Sequence, residues 1–185
     1  PLLKHRSSFV LIHDFDANGR FDPDPEVNSS LQLPMSLPGH SGMLIEMHLA
    51  RILIRESTSA QLIELRESHP IDDEPRSFPI VIGTSEAIAI DRRLSGFEVG
   101  RPMTHDLLAH TIEQLGATLE SIAITDIVEG TFFAVLVLSD RDGQRIEIDA
   151  RPSDAIALGI TGDVPIYVSD AVIENAIMPP LDDFE

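Results

Sequence analysis

The sequence predicts an α+β domain, with a mixed, largely antiparallel sheet and about four helices. Three observations carry that expectation. Apolar residues alternate along several segments joined by tight-turn sequences, Glu129-Gly130 and Asp140-Arg141-Asp142-Gly143. Helical patterns are interspersed among these segments, and they open on capping or acidic residues, as at Thr84-Ser85-Glu86, Thr104-His105-Asp106 and Ser153-Asp154. The chain has 185 residues, 43% of them hydrophobic, which suffices for one core.

Residues 1–42 read as an N-terminal arm, extended or disordered. They hold Asp22-Pro23-Asp24-Pro25, Pro34 and Pro38-Gly39 and lack sustained periodicity. Asp14, Asp16, Asn18 and Gly19 match the opening of a calcium loop. Pro25 stands where such a loop needs a bidentate Glu, so the segment is read as a polar turn.

The domain proper is placed at residues 43–178. Ile45, Met47, Leu49, Ile52 and Ile54 predict a strand with a bulge, and Gln61 to Arg66 a second strand. His69 to Pro75 reads as a solvated acidic loop. Phe78 to Gly83 is so apolar that a strand central in the sheet or covered on both faces is expected, with Pro79 near its start. A helix capped by Thr84 or Ser85 runs to about Leu94, and the adjacent basic pair Arg92-Arg93 reads as solvated surface in preference to a phosphate site. Another helix follows Arg101-Pro102 and stops at Gly116, with Leu108, Ile112 and Leu115 as its inward stripe. His110 would meet Asp106 one turn earlier.

Leu119 to Ile127 and Thr131 to Leu138 predict paired strands. Ile146, Ile148 and Ala150 alternate with charged residues on the next strand, which Arg151-Pro152 ends. Ser153 is expected to cap a helix. Pro165 to Val168 is a short strand, Ser169 caps a last helix, and 179–185 is an acidic tail.

The chain has no Cys, which excludes disulfides, thiolate zinc sites and Cys nucleophiles. With no apolar run of membrane-spanning length and no secretory signal, a cytoplasmic protein without membrane contact is expected. The net charge of −18 disfavours broad capture of nucleic acid, although a small cationic patch or a metal-bridged phosphate site remains compatible with it. No glycine-rich phosphate loop, serine elbow or zinc spacing is present.

Three segments, in order, resemble the bifunctional nuclease family: Phe78 to Gly83 with Glu86-Ala87, Arg101 to Leu108, and Asp149 to Leu158. The resemblance spans roughly Leu44 to Met178. It implies an α+β fold and nuclease activity on DNA and RNA. The chain departs from the family after Leu158, where Gly159-Ile160-Thr161-Gly162-Asp163 supplies no cation and shortens the helix.

A metal-assisted nuclease needs carboxylates for Mg²⁺ or Mn²⁺, an activated water and cations on the phosphate. The candidate metal ligands are Glu86, Asp106, Asp149 and Asp154, and these four carboxylates are expected to approach one another. The candidate catalytic set is His105, Asp106, Asp149 and Asp154. Arg101 and Arg151 are the candidate phosphate ligands, as bidentate forks. Glu147 and Asp149 share a strand face, ~6.5–7 Å apart along it. The competing reading is a non-enzymatic scaffold or regulatory domain, homo-oligomeric through exposed sheet edges. In it the same acids complement helix N-termini, and Arg151 pairs with Asp149 or Asp106 in a partly buried structural network.

Overall fold

The structure is a computed structural model, in which residues 10–14, 42–55, 57–70, 74–97 and 99–177 are described. The calcium-loop residues after Asp14 and the 179–185 tail lie outside them. Among the described residues eight strands form one sheet: β1 (Val10–Asp14), β2 (Leu44–Arg55), β3 (Ala60–Glu67), β4 (Ser77–Gly83), β5 (Thr118–Val128), β6 (Thr131–Ser139), β7 (Arg145–Ala150) and β8 (Ile166–Ser169). Their order is β4-β3-β2-β8-β5-β6-β7, with β1 beside β2. Every pairing is antiparallel except β5 with β8. The helices are α1 (Thr84–Leu94), α2 (Thr104–Gln114), α3 (Pro152–Gly159) and α4 (Asp170–Ala176), and a 3-10 turn at Ile160–Gly162 follows α3.

The one part of the N-terminal arm that is described is extended. Val10–Asp14 pairs with Arg51–Arg55, beyond the stretch of β2 that β8 occupies. The expected bulge in β2 falls between Leu49 and Arg51. The β5–β6 turn places Glu129 and Gly130 at φ 49° and 75°, the two positive values that a twisted two-residue hairpin demands. At the end of α2, Gly116 takes φ +80°. Its N–H donates to Glu113 while that of Ala117 donates to Ile112, which closes the last turn on its own carbonyls.

The strand at Phe78 to Gly83 is not central. β4 is the sheet edge, and Val81 is exposed. An edge is where Pro79, which has no N–H, does least damage to the ladder. The strand's apolar density comes instead from Phe78, Ile80 and Ile82, which face the core, with Phe78 stacked on Phe132 at 5.6 Å between ring centroids.

Apolar residues of α1, α3 and α4 pack on one sheet face. Ala87, Ile90, Ile156, Leu158, Val172 and Ile173 meet Met47, Leu49, Ile63, Ile122, Ile124, Leu136 and Val168 there. A smaller cluster, Leu44, Ala123, Val137 and Tyr167, lies on the opposite face. Helix α2 contributes no buried residue. Leu108 and Leu115 face outward, and Ala109 and Ile112 are its partly buried contacts with the core. The expected Leu108–Ile112–Leu115 stripe is therefore rotated, because Asp106 is drawn inward by two arginines of α1.

Caps also differ from expectation. Gly83 is the N-cap of α1, and Arg151 that of α3 with Pro152 at the first helical position. Thr84 instead donates to the carbonyl of Ser59 and accepts from Gln61, and Ser153 is buried. Ser169 does stand at the N-cap of α4, but its hydroxyl makes no capping bond.

Candidate active site

The beginnings of α1, α2 and α3 meet, and their acids are held there by arginine. Arg151 is the hub. Its Nη1 donates to Glu86 at 3.0 Å and its Nε donates to Asp154 at 2.7 Å. The far side of Asp154 is taken by His105, whose Nε2 lies 3.3 Å from Oδ1. Glu86 folds back over the backbone of Gly83, where a Cβ would stand 2.3 Å from its carboxylate. A side chain at position 83 would push the Glu86 carboxylate out of this place.

These contacts set the charges. The backbone N–H of Glu86 itself, then the Ser85 hydroxyl and Arg151, hold the Glu86 carboxyl below its ordinary range against the opposing effect of burial. At Asp154 burial pushes the carboxyl up, but hydrogen bonds from Arg151 and His105 outweigh it and the net shift is downward. The Arg151 guanidinium is raised, by Asp154 first and then by Glu86. Its side chain is nevertheless 64% exposed, so the hub faces solvent.

Asp106 belongs to a second group on the same helix turn. Arg92 donates to it at 2.9 Å, Arg93 donates to its other oxygen, and the N–H of Met103 donates at 3.0 Å. Burial raises this carboxyl, and the Met103 N–H with the two arginines lowers it further than burial lifts it. Arg93 also donates to the carbonyl of Leu158 at 3.2 Å and to the Thr161 hydroxyl at 2.7 Å. The cation that the end of α3 does not carry in sequence is thus supplied in space from α1. Arg93 is 7% exposed, so the assignment of Arg92-Arg93 to solvated surface is overturned. The Nε atoms of both arginines are buried without an acceptor among the described residues. An unmet buried donor costs about 1–3 kcal/mol.

The structure therefore brings Glu86, His105, Arg151 and Asp154 into one network and places Asp106 beside it, facing α1. His110 does not bond Asp106. It lines a cavity of about 500 Å³ together with Arg101, Arg92 and Arg93. Asp149 is not brought to the other carboxylates. It pairs across the ladder with Val135, as Glu147 does with Val137, on the sheet face opposite the helices. Among the described residues no set of three or more His, Asp or Glu is arranged to hold a metal. Of the four candidate acids, Glu86 and Asp154 share a partner, Arg151.

One partly buried ionic site had no signal in the sequence. Glu67, at the end of β3, accepts from Nε and Nη2 of Arg76 at 2.8 and 2.6 Å, while Nη1 of Arg76 donates to Asp170 at the start of α4. Its members are distant in sequence, and Arg76 borders a loop that reads as solvated.

The bifunctional nuclease domain family matches residues 70–180, which contain the whole helix junction. The chain is 40% identical over 131 residues to an uncharacterised protein of Mycobacterium tuberculosis (strain ATCC 25618 / H37Rv), covering 71% of this chain and 75% of that protein. It is 25% identical over 173 residues to bifunctional nuclease 1 of Oryza sativa subsp. japonica, covering 88% of this chain and 51% of the rice protein. Bifunctional nuclease 1 of Arabidopsis thaliana is 24% identical over 93 residues, covering 49% of this chain and 29% of that protein. Among the described residues no helix is long and apolar enough to cross a membrane.

Proposed function

The chain belongs to the bifunctional nuclease domain family, and from that premise we propose that it hydrolyses phosphodiester bonds in DNA and RNA at the junction of α1, α2 and α3. The observation that carries this reading is the His105–Asp154–Arg151–Glu86 network. It places an imidazole oriented by a carboxylate next to an exposed guanidinium. With Nε2 donating to Asp154, Nδ1 of His105 holds the lone pair and takes a proton from water. The water oxygen bonds phosphorus, the ester bond to the leaving sugar oxygen breaks, and that oxygen takes a proton from solvent. Arg151 exchanges its carboxylate partners for phosphate oxygens and opposes the charge that develops on them.

Mg²⁺ is commonly held by one or two carboxylates together with substrate phosphate. Glu86 and Asp154 are the pair that would hold Mg²⁺ or Mn²⁺ once Arg151 turns to the strand, and the cation would polarise the phosphoryl oxygen. Asp106 acts as a positioning residue, fixing the first turn of α2 and with it His105. The absence of Cys suits a reducing compartment, and the cytoplasm is the proposed location. The test is cleavage of single-stranded DNA and RNA by purified chain in Mg²⁺ or Mn²⁺ against EDTA. His105→Ala should lower the rate by ~10²–10⁴-fold with the fold intact. Cleavage that survives both His105→Ala and Asp154→Asn would sink the assignment.

A second reading has its own observation. Leu107, Leu108 and Leu115 are exposed on α2, and Ile146 and Ile148 are exposed on the edge strand β7. Both isoleucines lie opposite core residues of β6, so they sit on the helix-bearing face where no described helix covers them. A second copy of the chain fits this edge. Antiparallel self-pairing would set Arg145 of one β7 against Glu147 or Asp149 of the other. Light scattering on the purified chain checks it: a dimer that Ile148→Lys converts to monomer supports self-association, and a wild-type monomer at high concentration excludes it.

A further inference from the structure

We infer that the cavity between the end of α1, the loop that follows it and the outer turns of α2 binds a phosphate monoester joined to an aromatic base, which is the chemistry of a nucleotide. This needs no cleavage at the His105 network and would stand if that network proved inert. The cavity holds about 500 Å³, within the roughly 300–1,000 Å³ of small-molecule sites. Its polar wall is cationic in a chain of net charge −18. Arg92, Arg93 and Arg101 line it, opposed by the carboxylates Asp106 and Glu113, so three of the chain's 13 Lys and Arg residues face one space.

Arg101 is the side chain that argues for an anion. It lines the cavity, is exposed, and makes no ion pair with a described residue. Arg92 and Arg93 are already engaged with Asp106, and their Nε groups are buried beyond a ligand's reach, so they add positive charge to the wall. A phosphate monoester offers Arg101 the acceptors that it lacks.

The remaining wall is suited to a base. Phe97 borders the cavity and is 68% exposed, an aromatic ring in solvent on a loop. Such a ring stacks any base without regard to sequence. His110, on the α2 face one turn from Asp106, and the Thr161 hydroxyl add polar groups around it.

The experiment is calorimetric titration of the full chain with adenosine monophosphate, adenosine, inorganic phosphate, and a short oligonucleotide with and without a 5′-phosphate. Adenosine monophosphate should bind at least tenfold tighter than either adenosine or phosphate. Arg101→Ala should weaken it about tenfold, and Phe97→Ala about fivefold or more. Both side chains are exposed, so an unchanged melting temperature shows that neither variant has lost its fold. Tight binding of the mononucleotide alone identifies a free nucleotide as the occupant. Binding of the 5′-phosphorylated oligonucleotide but not its 5′-hydroxyl counterpart identifies a strand end. The proposal is overturned if no phosphate-bearing probe binds, if phosphate binds as tightly as the nucleotide, or if Arg101→Ala leaves affinity unchanged.

Discussion

Arg151 Nη1 lies 3.0 Å from Glu86 Oε1, an ion pair that ties the start of α3 to the start of α1 across 65 positions of sequence (151 less 86). Because Arg151 is 64% exposed, the pair is screened by water and contributes little to stability, at most about 1 kcal/mol. Arg151→Ala should therefore leave the urea midpoint nearly unchanged while lowering the cleavage rate by ~10²–10³-fold, the usual effect of removing a donor aimed at developing charge. A variant that unfolds easily but still cuts at the wild-type rate would reverse the assignment.

Asp106 behaves in the opposite sense. Its arginine partners are 13% and 7% exposed, so removing the carboxylate strands two nearly buried cations. Asp106→Ala should cost about 3 kcal/mol in chemical denaturation. Replacing the ion pair by apolar groups, as in Asp106→Leu with Arg93→Met, should recover much of that loss. A double variant no more stable than the single one would show that the charges themselves are required.

Acid should expose the helix junction selectively. The Glu86, Asp106 and Asp154 carboxyls are all held below their ordinary values. A depressed carboxyl contributes stability that is complete above its unfolded value, about 4. That contribution is lost as the pH falls through the lower folded value. The urea midpoint of the wild type should fall more steeply below about pH 4 than that of Glu86→Gln or Asp154→Asn. Parallel curves would refute the linkage.

The single Tyr, in a chain without Trp, gives a clean alkaline probe. Burial raises the Tyr167 phenol, and the Glu46 charge raises it further. Stability from the neutral phenol is fully present below the unfolded value, about 10, and is lost as the pH rises through the folded one. Phenolate absorbance should thus appear at higher pH in the folded chain than in urea. Coincident titrations would contradict its burial.

Much of the architecture was legible because it rests on local rules. The bulge in β2, the hairpins at Glu129-Gly130 and Asp140 to Gly143, and the stop at Gly116 follow from alternation and backbone freedom. Three of the four acids expected at the site do gather at helix starts. The partners of Asp106 were not legible, because Arg92 and Arg93 meet it through tertiary folding that spacing does not encode. The same pairing explains the misread helix. α2 offers two apolar stripes sharing Ile112, and the inward pull on Asp106 selects the one through His105 and Ala109. Asp149 was misplaced for a different reason. It is close to Arg151 in sequence, but the alternation of β7 sends it to the far sheet face.

Helix α2 buries none of its residues fully, so it is a separate unit of local stability. Helices α1, α3 and α4, by contrast, each bury residues fully. α2 can detach by breaking the Asp106 clamp, the His105–Asp154 contact, the Arg141–Gln114 bond and two partial apolar contacts. Its amides should exchange with solvent sooner than those of β5 or α3. Since His105 rides on its first turn, the fraction of molecules with α2 seated sets the fraction with a complete site, and any ligand bridging α1 and α2 would slow that exchange.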